Sequence, residues 1–522
     1  MTNEQRQREF VALPLMPHQR AALRKAWGRP AFAYLMEQGT GKTLTIIAEA
    51  LALYARGEID ALLVLAPNGV HQNWVFNELP KSVPADVSWV SAYYDTSPTR
   101  KERAALAALM TVRAEGDVPP FRVLTMSYDA LLTDAGFKFA EGFVMCTRAM
   151  IAADESHFIK NLDARRTKRA LNIRRHCAYR RIATGTAIAN SPLDAYAQFE
   201  FLGEGLLDET SITAFRARYC ELLPPNHGVL RHIVKRMERG MGRTMSDKER
   251  EVRTPQIVAQ DAQGRPIYKH LDELHAKIAA HSYRVLKEDC LELPPKQYET
   301  LFFHLTKAQR AVYDRMEEEL RYIMEDGTLL TASKLVAMAK LRQITSGFLL
   351  LRDGSTSYLE DNPRVELLRE QVQSETRQGI IWSQYKEEQR SVARVLKEST
   401  MTCEVVNGEV PLKRRREIIA EFQSGNLQWI DAHPATLGSG FTLTSGTLNY
   451  YYSNGFSMTE RVQSEDRTHR KGTTDTVLYR DVVAIDTRDD NVVWALQHKL
   501  DTAAMINGDP ARKSRFAERT DG

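Results

Sequence analysis

The stretch Ala31-Phe32-Ala33-Tyr34-Leu35-Met36-Glu37-Gln38-Gly39-Thr40-Gly41-Lys42-Thr43-Leu44-Thr45-Ile46-Ile47 decides the fold. An apolar run breaks at two glycines and resumes with helical character, which predicts a strand, a tight loop and a helix. A loop of this kind turns backbone N–H groups and a positive helix end towards phosphate, while Lys42 adds charge and Thr43 a hydroxyl for Mg²⁺. Gly39, Thr40 and Gly41 form the turn, and the stretch reads as a nucleotide-binding loop. The general pattern G-x-x-x-x-G-K-[ST] asks for glycine where this chain has Met36. On the short motif alone, a glycine-rich turn before an ordinary helix stays open as the other reading.

Outward from the loop, Leu15-Met16-Pro17-His18-Gln19-Arg20 leads into a helical pattern, and the Gln19 amide could pair with the donor and acceptor edge of adenine. Downstream, Ala61-Leu62-Leu63-Val64-Leu65-Ala66-Pro67 and Arg122-Val123-Leu124-Thr125-Met126-Ser127-Tyr128 read as buried parallel strands separated by helical sequence. That alternation predicts an α/β fold with a doubly wound parallel sheet and ligands at the carboxyl ends of its strands. Ala149-Met150-Ile151-Ala152-Ala153 ends in Asp154-Glu155-Ser156-His157. A strand delivering two carboxylates to the edge that carries the phosphate loop directs Asp154 to Mg²⁺ and Glu155 to the attacking water. Adjacent carboxylates also simply end many strands, so the reading rests on their pairing with Lys42.

Bulk properties bound the alternatives. At 522 residues the chain is too long for one core. With 43% hydrophobic and 26% charged residues it reads as a soluble globular protein. A net charge of +4 implies no partner by itself. The five cysteines, Cys146, Cys177, Cys220, Cys290 and Cys403, form no C-x-x-C pair, which disfavours zinc and fits a reducing compartment. The polar start and the lack of a long apolar run predict a cytoplasmic protein without a membrane span. No fixed-period repeat or low-complexity tract argues for a solenoid or a disordered scaffold.

From Arg180-Arg181-Ile182-Ala183-Thr184-Gly185-Thr186-Ala187 onward, the order of segments resembles the Swi/Snf-type ATPases of helicase superfamily two. The family's phosphate loop, Asp-Glu-Met-Gly-Leu-Gly-Lys-Thr, is matched at Gly39, Gly41, Lys42 and Thr43, with Met36 in place of the acid. Asp154 to His157 match Asp-Glu-x-His, with Lys160 and Asn161 fitting the extension. Thr184-Gly185-Thr186 match Thr-Gly-Thr-Pro except for Ala187, and Asn190 and Phe201-Leu202 continue the likeness. Far downstream, Gln463-Ser464-Glu465-Asp466-Arg467-Thr468-His469-Arg470-Lys471-Gly472 match Gln-x-x-x-Arg-x-His-Arg-x-Gly, with Thr473 where glutamine is usual. Trp429 to Gly440, including Gly438, match the fifth motif loosely, and His433-Pro434-Ala435 is similar to compact phage-encoded members.

The resemblance covers about residues 15 to 485. It implies two RecA-like parallel-sheet motor domains in tandem with helical insertions: a first motor over 1–205, a helical insertion over 206–290, a crossing segment and linker over 291–376, a second motor over 377–485, and a tail over 486–522. Residues Arg231 to Arg253 are rich in Arg and Lys, as either a solvated face or a DNA contact. The same two readings apply to Arg165, Arg166, Lys168 and Arg169.

The site implied by the resemblance binds ATP and Mg²⁺. Lys42 serves the β- and γ-phosphates, Thr43 and Asp154 the metal, Glu155 the water and Gln19 the adenine, with Gly438 and Gln463 as further nucleotide contacts. Arg467 and Arg470, spaced to share one helix face, would stabilise transition-state charge. The expected partner is double-stranded DNA, held through phosphates by loops after Pro67, Tyr128, Gln384 and Gly438, and the expected form is a monomer. The implied activity is a DNA-stimulated ATPase that translocates on duplex; a strand-separating helicase and a nucleotide-gated DNA-binding module are the alternatives.

Overall fold

The computed structural model describes residues 10–111, 119–185, 191–261, 265–325, 331–351, 353–359, 361–437, 441–507 and 509. These divide into two compact units. The first takes the described residues of Met1–Phe215, His270–Glu292 and Thr502–Ala511, and the second those of Arg216–Lys269 and Leu293–Asp501.

In the first unit, seven strands form one sheet: β1 (Ala31–Met36), β2 (Ala61–Ala66), β3 (Trp89–Tyr94), β4 (Phe121–Ser127), β5 (Ala149–Asp154), β6 (Tyr179–Ala183) and β7 (Ser282–Val285), in the order β3-β4-β2-β5-β6-β1-β7. Every pairing is parallel. Parallel strands need crossovers that cover both sheet faces, which is why the central strand β2, Ala-Leu-Leu-Val-Leu-Ala, is buried along its whole length. Its register with β5 and β4 brings the carboxyl ends of the middle strands to one edge. Tyr34 lies opposite Ala183, and Ala183 opposite Asp154, so β1, β6 and β5 deliver their next residues side by side.

The helix that follows the phosphate loop, Lys42–Ala55, is fixed from beneath by a buried polar triad. Arg181 on β6 donates from Nε to Glu49 Oε2 at 2.8 Å, and the Tyr34 hydroxyl of β1 donates to the same oxygen at 2.7 Å. Arg181 and Glu49 are 0% and 2% exposed, and removing one partner from such a pair leaves an uncompensated buried charge costing about 3–5 kcal/mol.

The second unit holds a six-stranded parallel sheet of β8 (Lys296–Phe303), β11 (Gly379–Trp382), β12 (Cys403–Val406), β13 (Trp429–Ala432), β14 (Leu448–Tyr451) and β15 (Val477–Ala484), in the order β12-β13-β11-β14-β15-β8. A small antiparallel hairpin, β9 (Phe348–Leu350) and β10 (Thr356–Tyr358), lies outside it. Two apolar clusters cover the sheet, one with Val365, Leu368 and Val392, the other with Ile418, Phe422 and Leu427.

The two-sheet architecture agrees with the sequence reading, but the boundaries differ. The segment expected to be a helical insertion, 206–290, ends in β7, an edge strand of the first sheet against β1. Four residues, Ser-Tyr-Arg-Val, are too few for a period to show. The crossing segment supplies β8, paired with β15 over eight residues as an edge of the second sheet. The tail contains the helix Arg488–Asn507.

Candidate nucleotide site

At the end of β1 the chain makes a left-handed turn twice, with φ of 87° at both Gly39 and Gly41. A side chain there is strained by roughly 1–2 kcal/mol. At Gly41 it would also strike Gln19, whose Nε2 lies 2.2 Å from the position a Cβ would take. Gln19 is buried, and it uses its amide on the chain itself: Nε2 donates to the Gly41 carbonyl at 3.0 Å, and Oε1 accepts from the Met16 N–H at 2.8 Å. The observed work of Gln19 is thus to hold the phosphate loop. His18 does the same at the Thr40 carbonyl, 2.7 Å away, and the Thr40 hydroxyl closes the turn on the Glu37 carbonyl at 2.7 Å.

The loop is held from its other side by the end of β6 and the segment after β7. A Cβ on Gly185 would sit 3.1 Å from Gln38 N and Glu37 Cα, so the Thr184-Gly185 turn lies against the loop backbone. Arg284 of β7 donates from Nη1 to the carbonyls of Leu35 and Gly185, 3.2 Å each, and forks onto the Asp509 carboxylate at 2.9 and 2.8 Å. The Lys287 N–H donates to Glu37 Oε2 at 2.9 Å. Neither Arg284 nor Lys287 announces this role in the sequence, because their partners Leu35 and Glu37 lie about 250 positions away and no local pattern links them.

Beside the loop, Lys42 Nζ stands 3.8 Å from Glu155 Oε1, with the two side chains 7% and 15% exposed. Glu155 has φ of 51°, an uncommon conformation for a non-glycine residue and one that marks functional turns. Its Oε2 receives the Thr184 hydroxyl at 3.4 Å and lies 3.5 Å from His157 Nδ1. Asp154 is buried; its Oδ2 accepts from the Trp74 indole at 3.1 Å, and its carbonyl accepts from the Tyr128 hydroxyl at 2.7 Å. Burial pushes the Asp154 carboxyl up to about 6, with Glu155 adding to the rise and Lys42 and Trp74 opposing it. Trp74 opens a π-helical turn, Trp74–Glu78, and sequence reasoning gave this tryptophan no role. Thr43, half-buried, sits at the second position of the helix that the loop opens.

The donor set suits Mg²⁺. Two adjacent carboxylates face one lysine, and a hydroxyl stands on the neighbouring helix turn; Mg²⁺ is commonly held by one or two carboxylates together with substrate phosphates. Among the described residues no cluster of three or more His, Cys, Asp or Glu could hold a metal by itself.

The second unit carries the arginines. The helix Met458–Thr468 includes Arg467 in its last turn, whereas Arg470 lies beyond the helix end. The expectation that both share one helix face is therefore corrected. Gly472, with φ of 103°, and Thr473, whose hydroxyl donates to the Thr468 carbonyl at 2.7 Å and accepts from the Arg470 N–H at 3.2 Å, end the helix first. The two guanidinium groups still converge, each donating from Nη1 to the Phe441 carbonyl at 3.3 Å. Glu465 is engaged elsewhere, by Arg461 at 2.9 Å and Lys296 at 3.0 Å. Arg461 also pairs with buried Asp481 and stacks 3.5 Å over Tyr451. Gln463 is half-buried on the same helix. Gly438, with the Ser439 and Gly440 that follow it, and Thr186, Ala187 and Asn190 of the third motif, lie outside the described residues.

Of the proposed DNA-facing loops, those after Pro67 and Tyr128 meet where the Asn68 amide donates to Asp129 at 2.7 Å. The nearby cations are all paired: Arg165 and Arg169 with Asp134, Arg166 with Asp129, Lys168 with Asp163.

A phosphate loop with a carboxylate pair on one parallel sheet, and paired arginines on a second, define a two-domain nucleotide-hydrolysing ATPase of helicase type. The SNF2-related domain model matches residues 35–352 and the helicase conserved C-terminal domain model residues 363–472. The chain belongs to the SNF2-related family of helicase superfamily two. It is 22% identical over 480 residues to the mouse protein named DNA annealing helicase and endonuclease ZRANB3, covering 90% of this chain and 39% of that one. It is 23% identical over 470 residues to the Mycoplasma genitalium protein named uncharacterized ATP-dependent helicase MG018, covering 89% and 39%. The chain spans about two fifths of these relatives. Among solved structures, the Sulfolobus solfataricus SWI2/SNF2 ATPase core in complex with dsDNA is 21% identical, with 96% of this chain and 94% of that one covered at a TM-score of 0.38.

Proposed function

We propose that this chain is an ATP-dependent translocase on double-stranded DNA, able to move along the duplex or remodel DNA and protein–DNA complexes. The observation that carries the reading is the Lys42–Glu155 approach of 3.8 Å beside a buried Asp154, at the edge where the phosphate loop opens its helix. In this reading Lys42 and the loop N–H groups of Gly39, Thr40 and Gly41 bind the phosphates. Glu155, tilted by its left-handed backbone, takes a proton from the attacking water. Asp154 and Thr43 hold Mg²⁺, which when bound neutralises charge on the phosphates. Arg467 and Arg470 stabilise the charge of the transferring group, a contribution worth about 10³–10⁵ in rate when an arginine does so in related chemistry. An adenine contact by Gln19 requires it to exchange the Gly41 or Met16 bond it now makes. Alternating closure and release driven by different affinities for ATP and its products supplies the motion.

DNA is gripped through its phosphates, so sequence matters little and salt weakens binding steeply. A monomer in the cytoplasm belongs to the same reading, which the five unbonded cysteines support. Among the described residues no helix is long and apolar enough to cross a membrane. The relatives carry the word helicase in their names, which favours strand separation as the second reading. The test is ATPase rate at fixed salt against duplex, single-stranded and forked DNA and RNA, with displacement of a third strand scored against fork unwinding. Stimulation by duplex together with third-strand displacement supports translocation. Fork unwinding without it favours the helicase, and an ATPase indifferent to duplex rejects both.

A further inference from the structure

Helices of the structure differ in whether acids answer their cations. Those on the helix Arg165–Ile173 are paired with acids, as are Arg243 with Glu249 and Arg250 with Glu238 and Asp247 in the second unit. The helix Gly228–Met241, also in the second unit, differs. Arg231, Lys235, Arg236 and Arg239 are all exposed, and among the described residues none meets a carboxylate within salt-bridge distance. The acid of this helix, Glu238, lies beside the cations and feels the charge of Lys235, but its hydrogen bonds go to Arg250 and the Met245 N–H.

The placement is ordered. At about 100° per residue, Arg231, Lys235 and Arg239 occupy an arc of roughly 80°, and Arg236 widens it to roughly 140°. Leu230, Ile233, Val234, Met237 and Met241 lie on the opposite side, where Leu230 is buried. Eight residues at 1.5 Å each put about 12 Å between the ends of the ridge. Over that length a duplex carries about seven phosphate charges, at one per roughly 1.7 Å. No apolar side chain interrupts the ridge, whereas the centre of a protein interface is apolar.

We infer that the Arg231–Lys235–Arg239 ridge is a binding surface for the phosphate backbone of double-stranded DNA. This rests on the translocase reading for the identity of the polyanion and adds a contact outside the loops at the sheet edges. The ridge contributes affinity and no sequence preference, since phosphate contacts position without specifying. It leaves chemistry untouched.

The test compares duplex affinity and ATPase in the full chain with Arg231→Gln/Lys235→Gln/Arg239→Gln, and with a control of equal charge loss from paired cations, Arg165→Gln/Lys168→Gln/Arg414→Gln. Three lost phosphate contacts make the slope of log affinity against log salt shallower by about 2.7, at about 0.9 per contact. The DNA concentration for half-maximal stimulation is expected to rise at least tenfold, with rates at zero and saturating DNA unchanged. The control is expected to keep the wild-type slope, and Arg231→Lys/Arg239→Lys, which keeps the charge, likewise. Thermal unfolding of each variant verifies its fold. A ridge variant with the wild-type slope, or a control that loses as much, overturns the inference. A wild-type chain that does not bind duplex overturns the translocase reading itself.

Discussion

The two units hold their candidate functional residues by different means. In the first unit the machinery is backbone: two left-handed glycines, a left-handed Glu155, and strand ends brought level by parallel register, with side chains such as Gln19, His18 and Arg284 tying carbonyls in place. In the second unit it is charge: Arg461 is locked between Asp481, Glu465 and the Tyr451 ring, and this fixes the helix from which Arg467 and Arg470 emerge to share the Phe441 carbonyl. In the proposed reading a lysine and two carboxylates must be set against phosphate and water at hydrogen-bond precision, which rigid turns provide. A guanidinium reaches further, and needs its base anchored more than its tip.

That contrast can be broken where it is sharpest. Glu155→Gln keeps the shape of the side chain and removes the proposed base. ATP turnover should fall by a factor of about 10³ or more while nucleotide binding persists, and Lys42→Ala should lose both. Turnover by Glu155→Gln close to wild type would reassign the base.

A smaller effect is expected at Trp74, whose indole donates to the Asp154 carboxylate. A hydrogen bond to a charged group is worth about 1.5–3 kcal/mol, so Trp74→Phe should lower kcat by roughly tenfold or more. Removing a donor also raises the Asp154 carboxyl further above about 6, so the acid limb of the pH–rate profile moves to higher pH. A profile that only scales down, without moving, would show Trp74 acting through packing.

Confined to the second unit, and read in stability rather than turnover, is a term at Asp431 on β13. Burial pushes its carboxyl up to about 8, against the opposing hydrogen bond from the Ser383 hydroxyl at 2.8 Å. Between the ordinary carboxylate value near pH 4 and pH 8, the folded chain keeps a proton that the unfolded chain has released. The stabilisation is thus complete below about pH 4 and is lost as pH rises through about 8, at up to about 1.4 kcal/mol per pH unit. Asp431→Asn should flatten urea-denaturation stability between pH 5 and 8, followed by the fluorescence of Trp382 and Trp429; an unchanged slope would remove Asp431 as its source.

How much of this could be read from the sequence follows from the same division. The phosphate loop and the carboxylate pair were legible because their parts are adjacent in the chain, where glycine spacing and strand-end acids signal directly. The two-sheet α/β architecture was legible from apolar runs such as Ala61-Leu62-Leu63-Val64-Leu65-Ala66. Hidden were the edge strand Ser282–Val285, too short to show a period, and the long-range donors Trp74 and Arg284. Arg467 and Arg470 were singled out by their motif, yet the spacing misled on geometry: Thr473 and Gly472 end the helix before Arg470, and a shared carbonyl brings the two together instead. The paired state of Arg165 to Arg169 was likewise invisible, because Asp129 and Asp134 lie some thirty positions upstream.

The most direct trial of the whole account is steady-state ATP hydrolysis at saturating duplex DNA by Arg467→Ala and Arg470→Ala, with ATP affinity measured in parallel. The expected result is that kcat falls by about 10³ in at least one of them while ATP still binds. Turnover within about threefold of wild type in both would remove Arg467 and Arg470 from the proposed hydrolysis.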